Sequence, residues 1–394
     1  MKHVVALSTL YPNAVNPRFG TFVARSLEAL ARLGDWRVTL INPIGLPPLA
    51  LGRYRPLAEL APLAEEGGVT VHRPHFTLIP RIGARRNATA IARAVLPLVR
   101  RIHADTPIDI LDAQFFFPDG PAAAEIAGAT GLPLSIKARG SDISFWGEHG
   151  FARNQMLDAA HTATGLLAVS HDLAGQMAAM GMDAGKITVH YTGLDRDRFR
   201  PFDHPQLRSQ LSRELGFTLP DNLPLLACVG ALIERKGQGI AIAALPAIPD
   251  ARLVLIGKGE DEARLRALAI NEGVADRVHF AGSVDHDLMP LLLSAADVMV
   301  LPTVAEGLAN AWVEALACGT PVVTSDVGGA RELITCDTAG RLVERSTEGV
   351  IAGIKAVLAN PPSREAVAAL TEEFSWEANA AALAAHYESM VGAA

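Results

Sequence analysis

Short, continuously apolar runs alternate with longer amphipathic segments along the whole chain. In the first half the runs are HVVALS (3–8), RVTLIN (37–42), VTVHR (69–73), IDILDA (108–113), LPLSIKA (132–138), GLLAVS (165–170) and KITVHY (186–191). Helical patterns such as FGTFVARSLEALARLG (19–34) lie between them. A strand that is apolar throughout needs cover on both faces, and a helical crossover makes neighbouring strands parallel. The pattern therefore predicts parallel sheets flanked by helices. After GLDRDRFRPFDHPQ (193–206), rich in charge and proline, the alternation restarts at 223–232, 251–259, 276–284, 296–303, 320–329 and 340–344. Two doubly wound α/β domains are predicted, spanning 1–198 and 199–375, with a closing segment at 376–394.

The length agrees: 394 residues suit two domains at roughly 100–200 residues each. With 49% apolar and 20% charged residues, each domain can bury a sizeable core. The formal charge of −7 argues against a dedicated nucleic-acid binder. Cys228, Cys318 and Cys336 form no C-x-x-C pair, so neither a disulfide framework nor a zinc site is expected, and a reducing cytosol fits best. The N-terminal apolar run is too short for a signal segment and reads as a first buried strand, and no apolar stretch is long enough to span a membrane.

Candidate chemistry concentrates in EGLANAWVEALACGTPVVTSDVGG (306–329). A strand ends near Pro302, and a helix is predicted from about Leu308 to Ala317, stopped by Gly319 and Pro321. Glu306 sits before that helix and Glu314 within it. Eight residues of helix span about 12 Å, beyond the roughly 5–9.5 Å at which two carboxylates cooperate as an acid/base couple. The free N–H groups at the helix start suit an anion, with Glu306 on one side and Glu314 deeper along the helix. A nucleotide sugar fits such a row: diphosphate at the helix start, sugar near Glu306, ribose near Glu314. Two solvated glutamates on a surface helix are the open alternative.

This stretch resembles the nucleotide-sugar signature of the retaining glycosyltransferases of family 4, which have the GT-B fold. The similarity extends through DAQFFFPDG (112–120), GSDI (140–143), ITVHYTGLDRDRFRP (187–201), VGALIERKGQ (229–238) and FSWE (374–377), and covers nearly the whole chain. It implies two Rossmann-like domains facing across a cleft, a donor held mainly by the second and an acceptor on the first. It also implies that no metal or other cofactor is needed and that the last helix packs back on the first domain. Residue by residue, it assigns Glu306 to the donor sugar, Glu314 to the ribose, and the Gly307, Leu308, Ala309 and Asn310 loop to sugar and phosphate. Lys236 matches the phosphate-binding lysine, and Gly20 the glycine whose missing side chain admits the donor phosphates. By their residue types alone, Lys236 is equally a solvated loop lysine and Gly20 a turn glycine.

Three positions depart from the family pattern. Ala231 replaces a phosphate-binding arginine, for which the neighbouring Arg235 is the candidate substitute. Arg139 stands where family members often carry a histidine near the reacting sugar, and is assigned with Glu306 and Lys236 to the catalytic group. Thr192-Gly193-Leu194-Asp195 replaces the usual Asn-Gly-Val-Asp.

Other signals have plainer readings. DRD (195–197) and DHD (285–287) match a metal-binding D-x-D, but the first lies beside the linker and the second opens a helix. GKGEDEA (257–263) starts like a dinucleotide fingerprint but has Glu262 at its third glycine position. NAT (87–89) is a glycosylation sequon without meaning in a cytosolic protein, and Ser141 and Asp142 read as a turn or helix cap. RIGARRNATAIARAVLPLVRRIHA (81–104) puts Arg86, Arg93 and Arg100 on one helical face, beside Arg85 and Arg101 and opposite Ile91, Val95 and Leu98. A solvated face over a core is the plain reading, and a contact with anionic lipid the functional one.

The expected function is transfer of a sugar from a UDP- or GDP-linked donor to an acceptor hydroxyl with retention. By analogy, the acceptor is a carbohydrate or a lipid-linked glycan of cell-envelope or exopolysaccharide synthesis, reached from the cytoplasm or the inner membrane face. The rival readings are an NDP-sugar epimerase or phosphorylase of the same fold, and a non-catalytic nucleotide-sugar-binding protein.

Overall fold

The computed structural model describes residues 1–79, 83–202, 206–285 and 287–392. Arg81 of the arginine-rich stretch, part of the linker segment (203–205), His286 of DHD and the last two residues of the closing segment lie outside them. The chain forms two compact units, one comprising Met1–Gly193 with the segment starting at Trp376, the other Leu194–Ser375. The crossing falls at Gly193–Leu194, whereas the linker composition suggested 198.

Unit 1 contains β1 (Lys2–Leu7), β2 (Trp36–Ile41), β3 (Ile44–Leu46), β4 (Leu63–Glu66), β5 (Val69–His72), β6 (His75–Thr77), β7 (Ile110–Ala113), β8 (Leu134–Ala138), β9 (Gly165–Ala168) and β10 (Ile187–Val189). Eight of them form one sheet in the order β10-β9-β8-β7-β1-β2-β5-β4. All neighbours in it are parallel except β4, which runs antiparallel to β5 at the edge. β3 and β6 pair separately. Unit 2 contains β11 (Leu225–Val229), β12 (Arg252–Ile256), β13 (Val278–Gly282), β14 (Val298–Leu301), β15 (Val322–Ser325) and β16 (Gly340–Val343), ordered β13-β12-β11-β14-β15-β16 and parallel throughout.

Every apolar run became a strand, and the central ones use both their faces. Along β1, Val5 and Leu7 join a core with Ile91, Val95 and Ile126, while Val4 and Ala6 join another with Leu27, Leu30 and Leu383. Alternate residues thus feed opposite helix layers. The second core includes the closing helix Trp376–Val391, where Tyr387 meets the edge of Trp36 at 5.3 Å between ring centroids. The Ser26 hydroxyl donates to Asn379 Oδ1 at 2.7 Å. β3, β4 and β6 left no apolar run to read: two have three residues, and β4 (LAEE) is an edge strand without a buried side chain.

Helix Ala84–Asp105 carries Arg85, Arg86, Arg93, Arg100 and Arg101 exposed, with Ile91 and Val95 buried and Leu98 packed against the core. Its basic face is thus a solvated face over a core. Cys228 and Cys318 are buried and Cys336 is exposed, all as free thiols. Among the described residues, no helix is long and apolar enough to cross a membrane.

In each large sheet the strand order reverses once. β1 is followed by β2 on one side and flanked by β7 on the other; β11 is followed by β12 and flanked by β14. Loops leaving the carboxyl ends of such strands diverge and leave a crevice, where open α/β sheets bind ligands. The candidate residues follow these strands.

Candidate active site

In unit 2, the loop after β11 closes with a 3-10 turn at Glu234–Lys236 and then Gly237, whose φ of 78° is left-handed. A Cβ on Gly237 would stand 2.2 Å from the carbonyl oxygen of Pro302, just after β14. Only glycine lets the two loops come this close. They are then stitched together: Val304 N–H donates to the Arg235 carbonyl at 2.8 Å, and Arg235 Nη1 to the Ala305 carbonyl at 2.9 Å. Arg345, beyond β16, clamps both, donating from Nε to the Pro302 carbonyl at 2.9 Å and from Nη2 to Glu234 at 3.4 Å.

This stitching joins residues far apart in sequence. Lys236 Nζ forms a close ion pair with Glu306 Oε1, and Arg235 Nη1 stands 3.7 Å from the same oxygen. The Lys236 and Glu306 side chains are 14% and 12% exposed, so the pair is shielded yet reachable, while Arg235 is half exposed. The Thr303 hydroxyl, fully buried, lies 3.1 Å from Glu306 Oε1 and 3.2 Å from the Arg235 carbonyl, either of which it can donate to. A Cβ on Gly328 would stand 1.9 Å from the Glu306 carbonyl oxygen, and Gly329 N–H donates to the Gly307 carbonyl at 2.7 Å. The post-β15 loop thus presses Glu306–Gly307 into place.

That brace shifts the helix. The expected start at Leu308 moves to Asn310, because Ala309 is extended and Gly307 is tied to Gly329. Leu308 and Ala309 are buried and Asn310 is exposed. The helix Asn310–Ala317 has no side-chain cap at its start, so its first N–H groups are open to an anion. Glu314, four residues in, is half-buried, and burial pushes its carboxyl up to about 7 against the opposing pull of Arg198. A carboxyl so placed favours a hydrogen-bonding neutral partner such as a hydroxyl.

In unit 1, Gly20 has a left-handed φ of 71°, and a Cβ there would stand 2.5 Å from the Leu10 carbonyl carbon. The turn itself therefore requires glycine. Arg139 follows β8 and is gripped from two directions. Its Nε donates to the Gln114 carbonyl at 2.7 Å and its Nη2 to Gln114 Oε1 at 2.6 Å, while the guanidinium lies 4.6 Å from the centre of the Phe22 ring. Burial lowers its pKa to about 10, with Asp142 and Asp112 opposing, so it stays charged at neutral pH. Asp142, fully buried, accepts from the backbone N–H groups of Phe116, Arg139, Gly140 and Ile143. It organises the turn at 139–143, as the cap reading of Ser141 and Asp142 expects.

The remaining signals have local explanations. Asp195 accepts from Arg198 N–H at 3.2 Å, Asp285 from Asp287 N–H at 2.9 Å, and Asp287 pairs with Arg198 at 2.7 Å. Among the described residues, no group of three or more His, Cys, Asp or Glu is placed to hold a metal ion. Gly257 and Gly259 let the post-β12 loop pack on the post-β11 loop, since Cβ atoms there would stand 2.0 and 2.1 Å from the Gly230 and Leu232 carbonyl oxygens.

Thr303, Gly237, Gly328, Arg345 and Gln114 were not singled out from the sequence. The glycines and Gln114 lie inside quoted motifs, but their roles depend on contacts between distant loops.

Both parts of the chain are similar to known glycosyltransferases. Residues 216–373 match the family described as Glycosyl transferases group 1, and residues 19–198 match Glycosyltransferase Family 4. A GDP-mannose-dependent monoacylated alpha-(1-6)-phosphatidylinositol monomannoside mannosyltransferase of Corynebacterium glutamicum is 36% identical over 203 residues, 47% of this chain and 52% of that one. The chain thus spans about half the length of that relative. The putative teichuronic acid biosynthesis glycosyltransferase TuaC of Bacillus subtilis is 26% identical over 84% of this chain and 82% of its own. Among solved structures, sucrose-phosphate synthase from Thermosynechococcus elongatus superposes over all of both chains with a TM-score of 0.77 at 21% identity. HepE of Anabaena in complex with UDP-glucose covers 99% of this chain and 100% of its own, with a TM-score of 0.73 at 20% identity. At these identities the two structures establish a shared fold, the two-unit GT-B architecture.

Proposed function

The chain belongs to the family 4 glycosyltransferases of GT-B fold, and from that premise we propose that it transfers a sugar from a nucleoside-diphosphate sugar to an acceptor hydroxyl with retention of anomeric configuration. The observation that carries this reading is the meeting of Lys236, Arg235 and Glu306 at the switch point of the unit 2 sheet. Without ligand, the carboxylate satisfies the cations. A donor diphosphate supplies a stronger partner for Lys236 and Arg235, freeing Glu306 to accept hydroxyls of the donor sugar. Gly307, Leu308, Ala309 and Asn310 supply backbone groups at the helix start, and Glu314 takes the ribose. From unit 1, the family resemblance assigns Gly20 to the donor phosphates, and Arg139, at the position of the family's histidine near the reacting sugar, joins the catalytic group.

In the reaction, the bond from the anomeric carbon to the diphosphate oxygen breaks through an oxocarbenium-like state. Lys236 and Arg235 stabilise the charge growing on the leaving group. The acceptor hydroxyl forms the new bond on the same face and gives its proton to the departing phosphate oxygen. No side-chain nucleophile and no metal enter this scheme. The donor classes to try first are GDP-mannose, named for the Corynebacterium relative, and UDP-glucose, bound in HepE. The acceptor class is a carbohydrate or lipid-linked glycan of the cell envelope, reached from the cytoplasmic side. The exposed arginine face of helix Ala84–Asp105 suits anionic lipid there, and co-sedimentation with vesicles indifferent to anionic lipid content removes that contact.

The test is transfer from each donor to a mixed glycan and glycolipid acceptor pool with EDTA present, the product read by NMR. Product of the donor's own anomeric configuration is expected. An inverted product, or turnover only with added metal, overturns the mechanism.

A further inference from the structure

Arg139 is held by more contacts than its turn requires. The backbone of residues 139–143 is already fixed by Asp142, yet the side chain has its own fully buried holder in Gln114. Gln114 follows β7 and joins a cation on one side to a carboxylate on the other. Its carbonyl and side-chain oxygens accept from Arg139 Nε and Nη2 at 2.7 and 2.6 Å, while its Nε2 makes a very close contact with Asp112 Oδ2. Asp112 is also fully buried, and the hydroxyls of Ser135 and Tyr387 face it.

This arrangement admits few other residues. Position 114 must accept from a cation on one side and donate to a carboxylate on the other, and only a side-chain amide of this length does both. A glutamate would set two buried carboxylates against each other; an apolar residue would keep the main-chain carbonyl on Arg139 Nε but deprive Arg139 Nη2 and Asp112 Oδ2 of their amide partner. With Phe22 covering one guanidinium face, the grip leaves Nη1 as the nitrogen with no hydrogen bond to the described residues.

We propose that Gln114 is a positioning residue for the reaction: it fixes the Arg139 guanidinium so that Nη1 is presented to the reacting sugar. This rests on the assignment of Arg139 to that sugar made above. Gln114 itself touches no substrate. Loss of its side-chain amide frees Nη2 while the main-chain carbonyl still holds Nε, so the guanidinium can turn without losing its charge and the effect on turnover passes through Arg139.

The experiment is a double-mutant cycle in the full chain with Gln114→Met, Arg139→Lys, Arg139→Ala and the pairs, reading kcat and KM with GDP-mannose and UDP-glucose. Gln114→Met is expected to lower kcat by about 10- to 100-fold, the range for a mispositioned group, with donor KM changed by less than about threefold. In either Arg139 background the same substitution is expected to have no further effect, because lysine cannot take the two-point grip. Equal effects of Gln114→Met with and without Arg139 overturn the proposal and mark Gln114 as a packing residue. Arg139→Lys keeps the positive charge and much of the side-chain volume, so the cycle survives misfolding of Arg139→Ala. The Arg139 Nη2–H NMR signal, identified by its loss in Arg139→Lys, gives a readout independent of turnover, since Nη2 is the nitrogen that the Gln114 side chain holds. It is expected to be protected from exchange in the wild type and averaged out in Gln114→Met. If Arg139→Ala turns over normally while this signal still depends on Gln114, the assignment of Arg139 fails and the grip stands. If the signal is unchanged in Gln114→Met, the grip itself is refuted.

Discussion

Both sheets carry charged groups at the carboxyl ends of neighbouring strands and treat them in opposite ways. After β11 and β14, Lys236, Arg235 and Glu306 reach one another from separate loops, remain partly exposed, and are joined by ion pairs, with the Ala305 carbonyl and the Thr303 hydroxyl as further partners. In and after β7 and after β8, Asp112, Gln114, Arg139 and Asp142 are held by a dense set of short hydrogen bonds, three of the four fully buried. An ion pair with some solvent access exchanges partners cheaply, whereas a buried hydrogen-bonded group is expensive to move. Under the proposed function, unit 2 trades its internal ion pair for a ligand while unit 1 keeps one geometry throughout.

The comparison breaks most sharply at Lys236. Lys236→Ala is expected to cut turnover by about 100- to 1,000-fold, the usual loss for one group stabilising a leaving charge, with a melting temperature near that of the wild type. Steady-state kinetics beside a thermal melt checks both. If the melt collapses, the Lys236–Glu306 pair is structural and the contrast with unit 1 disappears.

Next is Gly237→Ala, which adds a Cβ where 2.2 Å separates it from the Pro302 carbonyl and where φ is 78°. The post-β11 loop must shift, displacing Lys236 by an ångström or more. Turnover is expected to fall by about 100-fold through a residue that touches no substrate. Unaltered kinetics would show that the spacing of the two loops is not what places the lysine.

On the unit 1 side, Asn379 accepts from Ser26 at 2.7 Å and donates to the Tyr191 carbonyl at 2.6 Å, pinning the closing helix. Asn379→Ala is expected to lose about 1–3 kcal/mol of stability in denaturant titration, since both partners are left unpaired. Nucleotide affinity is expected to be unchanged; a parallel fall in affinity would contradict the separation of roles.

The smallest effect is a pH dependence in unit 2. Glu314 is held up to about 7 when folded, so its contribution to stability is fully present below the ordinary carboxyl pKa and is lost as pH rises through 7. Glu314→Gln is expected to be more stable than wild type at pH 8 by roughly 1–2 kcal/mol, discounted for partial exposure, and to match it near pH 4. Melting temperatures across pH 4–8 check the sign.

Much of this architecture is written locally. Continuous apolar runs with helices between them forecast every strand of unit 2 and all the central strands of unit 1, because a doubly covered parallel strand has no polar face to hide the signal. The edge strand Leu63–Glu66 has no buried side chain and gave none. Lys236 and Glu306 were each legible from their motifs, as was the loop between Glu306 and Asn310. Their contact was not, since it depends on β11 and β14 being neighbours across a reversal of strand order. The same applies to Thr303 under Glu306, Arg345 across both loops and Gln114 on Arg139: each is an ordinary residue whose partner comes from a distant strand. The helix start at Asn310 also escaped, because what holds Gly307 in the loop is Gly329, beyond β15.

The most direct test of the central claim is calorimetric titration of UDP, GDP and ADP into wild type and Lys236→Ala, with EDTA present. The account predicts that one nucleoside diphosphate binds the wild type without metal, that its affinity falls at least about tenfold in Lys236→Ala, the loss expected for one charge-assisted phosphate contact, and that salt weakens it. Equal affinity in the two proteins, or no binding of any of the three, would contradict the claim that the loops after β11 and β14 exchange their ion pair for a donor diphosphate.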